Sequence, residues 1–207
     1  MLRQVFTLCA LTLASAAGAG QYNAVMSIGD PMPSFENLPA IDGSTLSSSA
    51  LDSDVVVLVS LANHCPWVRG MDGDLVKLVD EMDRKSVGVV AFSVNHREED
   101  RLPAMKKHAE ETGYNFAYVY DESQKLGRDL GATHTPEYFV FDKARKLVYM
   151  GALYDSPAKM GSDGKPHYMK GEPKVHYVRD AIDASLAGQP VKIAETSAPG
   201  CTVEYEQ

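Results

Sequence analysis

The sequence predicts an α/β fold whose mixed central sheet carries helices on both faces. Segments with strand character alternate with segments of helical periodicity, in the order β-α-β-α-β-α and then β-β-α. Such alternation is typical of a parallel core, to which a final hairpin adds antiparallel strands. The apolar, largely β-branched run Val55–Ser60 indicates a strand that is buried on both faces, as in a parallel sheet.

Single residues place the helix ends. Pro66 suits the first helical position because its missing N–H needs no partner there, and apolar residues then recur at helical spacing as far as Met82. Asp100 is a candidate cap for the next helix, and Gly113 is a natural stop. The predicted strands cover 55–60, 87–94, 116–120, 138–141 and 147–152, with short strands at 35–38 and 201–205 and a hairpin turn at 42–43. The predicted helices cover 66–85, 100–112, 121–130 and 174–187.

The first 19 residues are predicted to be a signal peptide. Arg3 supplies a positive charge, an apolar core runs over 5–13, and small residues offer cleavage sites after Ala16 or Ala19. The core is too short to span a bilayer, so no membrane span is expected after cleavage; the alternative is an uncleaved anchor. The protein is therefore predicted to be exported, either to a periplasm or out of the cell.

The composition limits the classes of partner that the chain is expected to bind. The chain has 207 residues, a formal net charge of −8 and no basic run, which argues against binding to nucleic acid or to an anionic membrane surface. The length fits one domain, predicted over 20–188 with a polar loop insertion over 155–173, followed by a carboxy-terminal tail over 189–207. No glycine-rich phosphate loop with the required spacing is present, and no cofactor is predicted.

Two cysteines, Cys65 and Cys201, remain once the signal peptide is removed, because Cys9 lies within it. An even pair in an exported protein favours a disulfide or a redox couple. Cys65 lies where the first central strand gives way to a helix, and the positive end of the helix dipole favours thiolate over thiol there. The alternative for Cys65 is a small buried residue in the turn.

Five motifs occur in one order along nearly the whole mature chain: Gly29-Asp30-Pro31-Met32-Pro33-Ser34-Phe35, Asn63-His64-Cys65-Pro66-Trp67-Val68, Tyr120-Asp121-Glu122-Ser123-Gln124, Thr135-Pro136-Glu137-Tyr138-Phe139-Val140-Phe141-Asp142 and Pro199-Gly200-Cys201-Thr202-Val203. Together they resemble the thioredoxin-fold redoxins of the peroxiredoxin-like group. The second motif is similar to the Asn-His-Cys-Pro-Tyr-Val motif of one branch. The resemblance implies a thioredoxin-like fold.

The resemblance also implies roles for particular residues. Cys65 matches the attacking cysteine of the Cys-x-x-Cys pair, whose second position is occupied here by Val68. Thr135-Pro136 matches the cis-proline loop that faces that cysteine. True peroxiredoxins carry Thr and Pro ahead of their reactive cysteine, where this chain has Ala62 and Leu58, so the hydroxyl that would help to polarise a peroxide is missing.

The favoured hypothesis is a thiol-based oxidoreductase. Cys65 attacks a disulfide or a small peroxide, and Cys201 resolves the intermediate if the tail folds back. His134 stands where many members of the branch have a cysteine, and it is a candidate modulator of the thiolate. Trp67, with Thr135 and Pro136, is expected to border the groove for a partner's chain. The partner is a thiol or disulfide protein or a peroxide, and the sequence does not identify the reductant.

Two alternatives remain. A permanent Cys65–Cys201 disulfide would tether the tail, contribute about 2–4 kcal/mol and leave a non-catalytic binding module. Copper binding by Cys65 with His64 or His134 would use thiolate and imidazole ligands. Otherwise His64 is expected to be a turn residue whose side chain bonds to the backbone. The remaining histidines are expected on the surface: His96, His108, His167 and His176.

Overall fold

The computed structural model describes residues 20–84 and 86–207, so the predicted signal peptide and Cys9 lie outside the described residues. Within that part of the chain, no helix is long and apolar enough to cross a bilayer. The elements in chain order are β1 (Leu38–Pro39), β2 (Thr45–Leu46), β3 (Val55–Ser60), α1 (Pro66–Asp80), β4 (Val87–Ser93), α2 (Leu102–Thr112), β5 (Ala117–Tyr120), α3 (Lys125–Leu130), β6 (His134–Thr135), β7 (Glu137–Phe141), β8 (Leu147–Gly151), β9 (Ala158–Met160), β10 (Pro166–Tyr168), α4 (Tyr177–Leu186) and β11 (Cys201–Thr202).

The central sheet has five strands in the order β5-β4-β3-β7-β8. Strand β3 runs parallel to β4, and β4 runs parallel to β5. On the other side, β3 pairs with β7 and β7 with β8, both antiparallel. The predicted mixed sheet, with a parallel core extended by a hairpin, is therefore confirmed.

The core lies on both faces of this sheet, since successive side chains of β3 alternate between them. Val55, Val57 and Val59 pack with apolar residues of α1, α2 and α4. Val56 and Leu58 pack on the other face with α3 and with the leading segment that contains Met26 and Phe35. Helices thus cover both faces, as predicted, with three on one face and one on the other.

Helices α2 and α3 begin later than the periodicity predicts, because the aspartates before them bond to other groups. Helix α2 begins at Leu102, and Asp100 does not cap it; Asp100 is fully buried, and its carboxylate bonds to His64 instead. Helix α3 begins only at Lys125, since Asp121 bonds to Ser123 Oγ and to the Leu126 N–H in the turn before it.

The insertion over 155–173, predicted to be a polar loop, instead forms an ordered hairpin. Strands β9 and β10 pair antiparallel, and Ala158 is fully buried. The hairpin packs so closely on α1 that a Cβ placed on Gly70 would lie 2.7 Å from the backbone of Lys159. The segment is therefore part of the packed structure and extends the surface beside the amino-terminal end of α1.

The tail after α4 runs back along β8, the outer strand of the sheet. The Met150 N–H donates to Ala194 O, and the Thr196 N–H donates to Met150 O, at 3.0 Å each. Further on, β11 pairs antiparallel with β6, as expected for a short added strand. This path brings Cys201 to the end of the sheet at which β3 passes into α1.

Candidate active site

Cys65 lies at the amino-terminal end of α1, as predicted. It occupies the position before the first helical residue, Pro66, and its carbonyl accepts the Arg69 N–H at 3.0 Å. The N–H groups of the first helical turn have no partner inside the helix, so they supply positive potential next to the sulfur. Cys65 is also 0% exposed. The backbone can thus stabilise a thiolate here, but the thiolate is covered.

The second cysteine is one of the residues that bury Cys65. Cys65 and Cys201 form a disulfide that spans 136 residues of sequence, with the two Cα atoms 5.9 Å apart. This separation lies within the range usual for disulfides. In contrast to Cys65, Cys201 is partly exposed. The structure therefore brings the two predicted cysteines together as a directly bonded pair.

The loop opposite the disulfide contains the cis peptide bond Thr135-Pro136, as the resemblance implied. The Thr135 carbonyl oxygen lies 3.1 Å from the Cys65 sulfur, and Thr135 pairs with Cys201 across β6 and β11. Gly200 permits this approach, since a Cβ there would lie 2.4 Å from the Thr135 oxygen. The tail thus lies against the cis-proline loop in the manner of an added strand.

The segment after Cys201 is held by its own contacts. The Val203 N–H donates to Thr133 O at 2.9 Å, and the Glu204 N–H donates to Asn95 Oδ1 at 3.1 Å. Buried Gln124 donates its side-chain amide to Glu204 O and accepts the Glu206 N–H, both at 2.8 Å. These bonds do not involve sulfur, so we expect Cys201 to stay near Cys65 after reduction.

A buried carboxylate supports the cis-proline loop. Glu137 accepts the N–H groups of Thr133 and His134, at 2.7 and 3.2 Å. Burial raises the pKa of Glu137, and these two backbone bonds oppose the shift. Sequence reasoning did not identify Glu137 as a support for the site, because no sequence pattern shows that its side chain folds back onto the N–H groups of Thr133 and His134.

His134, the predicted modulator, lies at the edge of this loop. Its Nδ1 is 2.9 Å from Thr133 Oγ1, and its backbone pairs with Thr202, the neighbour of Cys201. Among the described residues, His134 makes no hydrogen bond to either sulfur. Its proposed influence on the thiolate stays a prediction.

The histidine that precedes the reactive cysteine has a stronger partner. His64 Nδ1 lies 2.5 Å from Asp100 Oδ2, and the His64 N–H donates to Asp100 Oδ1 at 3.2 Å. The expectation of a side chain bonded to backbone is therefore wrong, because the chain folds a buried carboxylate against this turn. No sequence signal linked two residues 36 positions apart.

Two of the histidines expected on the surface are also tied to the fold. His108 Nε2 lies 3.0 Å from Asp72 Oδ2, with the His108 side chain 14% exposed. His96 is half-buried, and its ring contacts Glu206 and the Glu122 carbonyl. The sequence pattern missed both because their partners are distant along the chain.

Trp67 borders a cavity of about 480 Å³ beside the disulfide. Pro199, two residues before Cys201, lines the same cavity. Its other apolar and aromatic walls come from four stretches of the chain: Tyr22; Ala152, Tyr154 and Pro157; Met169; and Tyr177. Tyr22 and Met169 are 47% and 57% exposed.

The described residues show no group of three or more His, Cys, Asp and Glu side chains placed to hold a metal ion. In the disulfide, neither Cys65 nor Cys201 is a thiolate, which is the form in which cysteine binds a metal.

A sulfur pair at the start of the first helix, opposite a cis-proline loop at the edge of a mixed sheet, defines a thioredoxin-like protein. Solved structures agree. An uncharacterized conserved protein from Geobacillus kaustophilus is 34% identical, with TM-score 0.73, over 87% of this chain and 93% of that one. Two others share the fold at lower identity. A thiol:disulfide interchange protein from Chlorobium tepidum is 23% identical (TM-score 0.52; 60% and 86% covered), and the peroxidoxin BcpB from Mycobacterium tuberculosis is 20% identical (TM-score 0.56; 78% and 97% covered).

The Redoxin family model matches residues 27–163, more than half of the chain, and the protein belongs to the Redoxin family. No curated protein matches the sequence at a significant level. The narrower Asn-His-Cys-Pro branch stays a prediction.

Proposed function

We propose that this protein is an exported thiol oxidoreductase that exchanges its Cys65–Cys201 disulfide with the thiols or disulfides of a partner protein. The main support is the placement of this disulfide at a helix amino terminus, against the cis-proline loop and beside an aromatic cavity. Thiol–disulfide exchange needs an accessible sulfur to attack and a stabilised sulfur to leave. The two cysteines differ in these two properties.

We infer that an incoming thiolate attacks Cys201, because Cys65 is 0% exposed and Cys201 is partly exposed. The new bond joins the partner sulfur to Cys201, the Cys65–Cys201 bond breaks, and Cys65 leaves as a thiolate. The helix amino terminus favours this leaving group, since low-pKa thiolates leave faster. A second partner thiolate then attacks the mixed disulfide at the partner's sulfur, which yields an oxidised partner and two protein thiols.

Run in the opposite direction, the same steps reduce partner disulfides. Reduced Cys201, held in place by the tail contacts, attacks a partner disulfide and releases one partner thiolate, and the Cys65 thiolate then attacks the Cys201 sulfur of the mixed disulfide and releases the other. We expect closure to be fast, because the backbone bonds at Val203 and Glu204 keep the two cysteines together.

Peroxide reduction is the second candidate. A Cys65 thiolate would attack a peroxide oxygen, form a sulfenic acid and release an alcohol or water; Cys201 would then condense with the sulfenic acid and release water. The adjacent Cys201 favours this route. Ala62 opposes it, since this fully buried methyl group stands where peroxiredoxins carry the threonine hydroxyl that helps to polarise the peroxide, and Leu58 stands where they carry proline.

Complete burial of Cys65 favours a further candidate, a permanent structural disulfide in a binding module. The reduction potential separates the two cases. Structural disulfides lie below about −300 mV, whereas exchange catalysts lie between about −120 and −270 mV.

The experiment equilibrates the full chain in graded glutathione buffers, quenches with an alkylating agent and follows the Cys65 and Cys201 peptides by mass spectrometry. We expect a midpoint in the exchange range, and glutathione in the mixed disulfide on Cys201 with alkylated Cys65. A midpoint below about −300 mV would refute exchange and support the structural role. Glutathione found on Cys65 would refute the direction of attack alone.

Trp67 and the cavity beside it fit the apolar side chains of a partner polypeptide that presents its thiol to Cys201. We propose export on the basis of the amino-terminal segment with Arg3 and its short apolar core, and fractionation of cells that express the full chain tests it. The full-length chain recovered from the cytoplasm would contradict export.

A further inference from the structure

The contact between His64 and Asp100 has no use in the exchange steps described above. Asp100 is fully buried, and both of its carboxylate oxygens bond to His64, one to the ring and one to the backbone N–H. The His64 ring is 19% exposed, so it connects a buried charge to solvent. Burying a carboxylate is costly unless it is paired, so this pair has to be explained.

The pair lies in the turn that carries the reactive sulfur. His64 immediately precedes Cys65, and consecutive Cα atoms are about 3.8 Å apart. The turn is fixed to the same acidic loop a second time, because Asn63 Nδ2 donates to Glu99 O at 2.7 Å. The imidazole is thus held in one orientation beside the start of α1.

Other charged residues lie on the elements next to the turn. Glu204 of the tail lies close enough to interact electrostatically with His64, but Glu204 is paired with Arg97. The cis-proline loop contributes Glu137 and His134, α1 contributes Arg69, and the acidic loop contributes Glu99 and Arg101. The carboxylate that bonds to the His64 ring is that of Asp100.

We propose that His64, with Asp100 behind it, is the proton acceptor and counter-charge of the Cys65 thiolate. Asp100 acts through His64 as a positioning residue, since its bond to Nδ1 leaves Nε2 to exchange a proton with solvent. The proposal rests on the proposed function. When a partner thiol attacks the disulfide, its proton ends on His64, its sulfur bonds to Cys201, and Cys65 departs as a thiolate paired with the imidazolium.

A second histidine–aspartate pair provides a control inside the same fold. His108 Nε2 lies 3.0 Å from Asp72 Oδ2, and Tyr114 also donates to this carboxylate. That pair joins α1 to α2, and Asp72 lies seven residues after Cys65 in the chain. If any histidine–carboxylate pair tuned the sulfur equally, His108 would matter as much as His64.

The test measures ionisation of Cys65 directly. The ultraviolet absorbance of the full chain with Cys201→Ser is recorded as a function of pH. The absorbance of the chain with both Cys65→Ser and Cys201→Ser is then subtracted, which leaves the signal of the Cys65 thiolate. We expect His64→Asn to raise the midpoint by about one pH unit, a tenfold loss of thiolate at low pH. Asp100→Asn shifts it in the same direction by less, and His108→Asn leaves it unchanged. Superimposable curves for the parent and His64→Asn would overturn the proposal.

Asp100→Asn leaves a buried contact altered and can fail to fold, so a second measurement uses no Asp100 variant. Coupled ionisations are reciprocal. The His64 ring is therefore titrated by NMR in the Cys201→Ser chain and in the chain with both cysteines replaced. We expect His64 to hold its proton to higher pH when Cys65 is present. Equal midpoints would refute the coupling, whatever the absorbance gives.

Neither titration uses a partner or a substrate. A structural disulfide below about −300 mV would remove the exchange function while the coupled ionisation stood. Conversely, exchange in glutathione buffers with uncoupled titrations would refute only the role of His64 and Asp100. The two failures are therefore distinguishable.

Discussion

The two halves of the disulfide are held in different ways. Cys65 lies on the framework, where a strand buried on both faces passes directly into α1. Cys201 lies on a tail whose position depends on backbone bonds to Met150, Thr133 and Asn95 and on the amide of Gln124. One sulfur is fixed by the hydrophobic core, and the other by polar contacts at the edge of the sheet.

This difference indicates how the site divides its tasks. The core keeps Cys65 at the helix amino terminus whatever the redox state, so its thiolate is favoured by fixed backbone dipoles. The tail has fewer buried apolar contacts, and segments of that kind open at lower cost than the core. Cys201 is therefore the half that can adjust to a partner.

Loss of the disulfide should give the largest effect. Cys201→Ser is expected to lower the free energy of unfolding by about 3–5 kcal/mol relative to the oxidised parent, because the bond closes a loop of 136 residues. Urea unfolding of oxidised and reduced protein measures it. Reduced parent is the control and should unfold close to the variant. Equal stability of oxidised and reduced parent would contradict the prediction.

A methyl group at Gly200 should separate the tail from the loop. Gly200→Ala places a Cβ 2.4 Å from the Thr135 oxygen, so we expect a loss of about 1–3 kcal/mol and an easier reduction of the disulfide. Gly73 of α1 has nothing within 4 Å of such a Cβ, and Gly73→Ala should stabilise by about 0.5–1 kcal/mol. Thermal unfolding of both variants shows whether each one is more or less stable than the parent. A Gly200→Ala variant as stable as the parent would show that the tail is not closely packed.

Removal of the Gln124 amide should loosen the tail while the volume of the side chain at this position stays nearly the same. Gln124→Met deletes bonds to Val94 O, Glu204 O and the Glu206 N–H, and we expect about 1–3 kcal/mol less stability. After reduction, closure of the disulfide should also slow, as followed by alkylation of the Cys201 peptide. Exposed Gln189→Met is the control. If closure proceeds at the parental rate, the tail contacts do not hold Cys201.

The smallest effect concerns pH. Hydrogen bonds to the Glu122 carbonyl and then to the Glu206 carboxylate raise the pKa of His96, which helps to fix the end of the tail. A raised histidine pKa contributes stability that is complete below about pH 6.5 and lost as pH rises through the folded-state value. We expect under about 1 kcal/mol, since solvent screens the pair.

The free energy of unfolding is measured as a function of pH for the parent and for His96→Asn. The difference between the two curves is the contribution of His96. The difference should decline as pH increases from 6 towards 8. A difference that grows with pH would contradict the sign.

The sequence alone determined the order of strands and helices, the mixed sheet and the placement of Cys65 at a strand-to-helix junction. These features depend on local patterns: an apolar β-branched run, helical spacing and the tolerance of a first helical turn for Pro66. The resemblance added the cis-proline loop at Thr135-Pro136, which no local pattern specifies because a cis bond is a minority state.

Only the tertiary structure decided how the site is completed. It joined Cys65 to Cys201 across 136 residues, buried Asp100 against His64, and folded the insertion over 155–173 into a hairpin packed on Gly70. Each of these depends on contacts between segments far apart in the chain. Burial, unlike periodicity, is a property of the assembled molecule, and it is burial that makes Cys65 a protected leaving group and Cys201 the accessible sulfur.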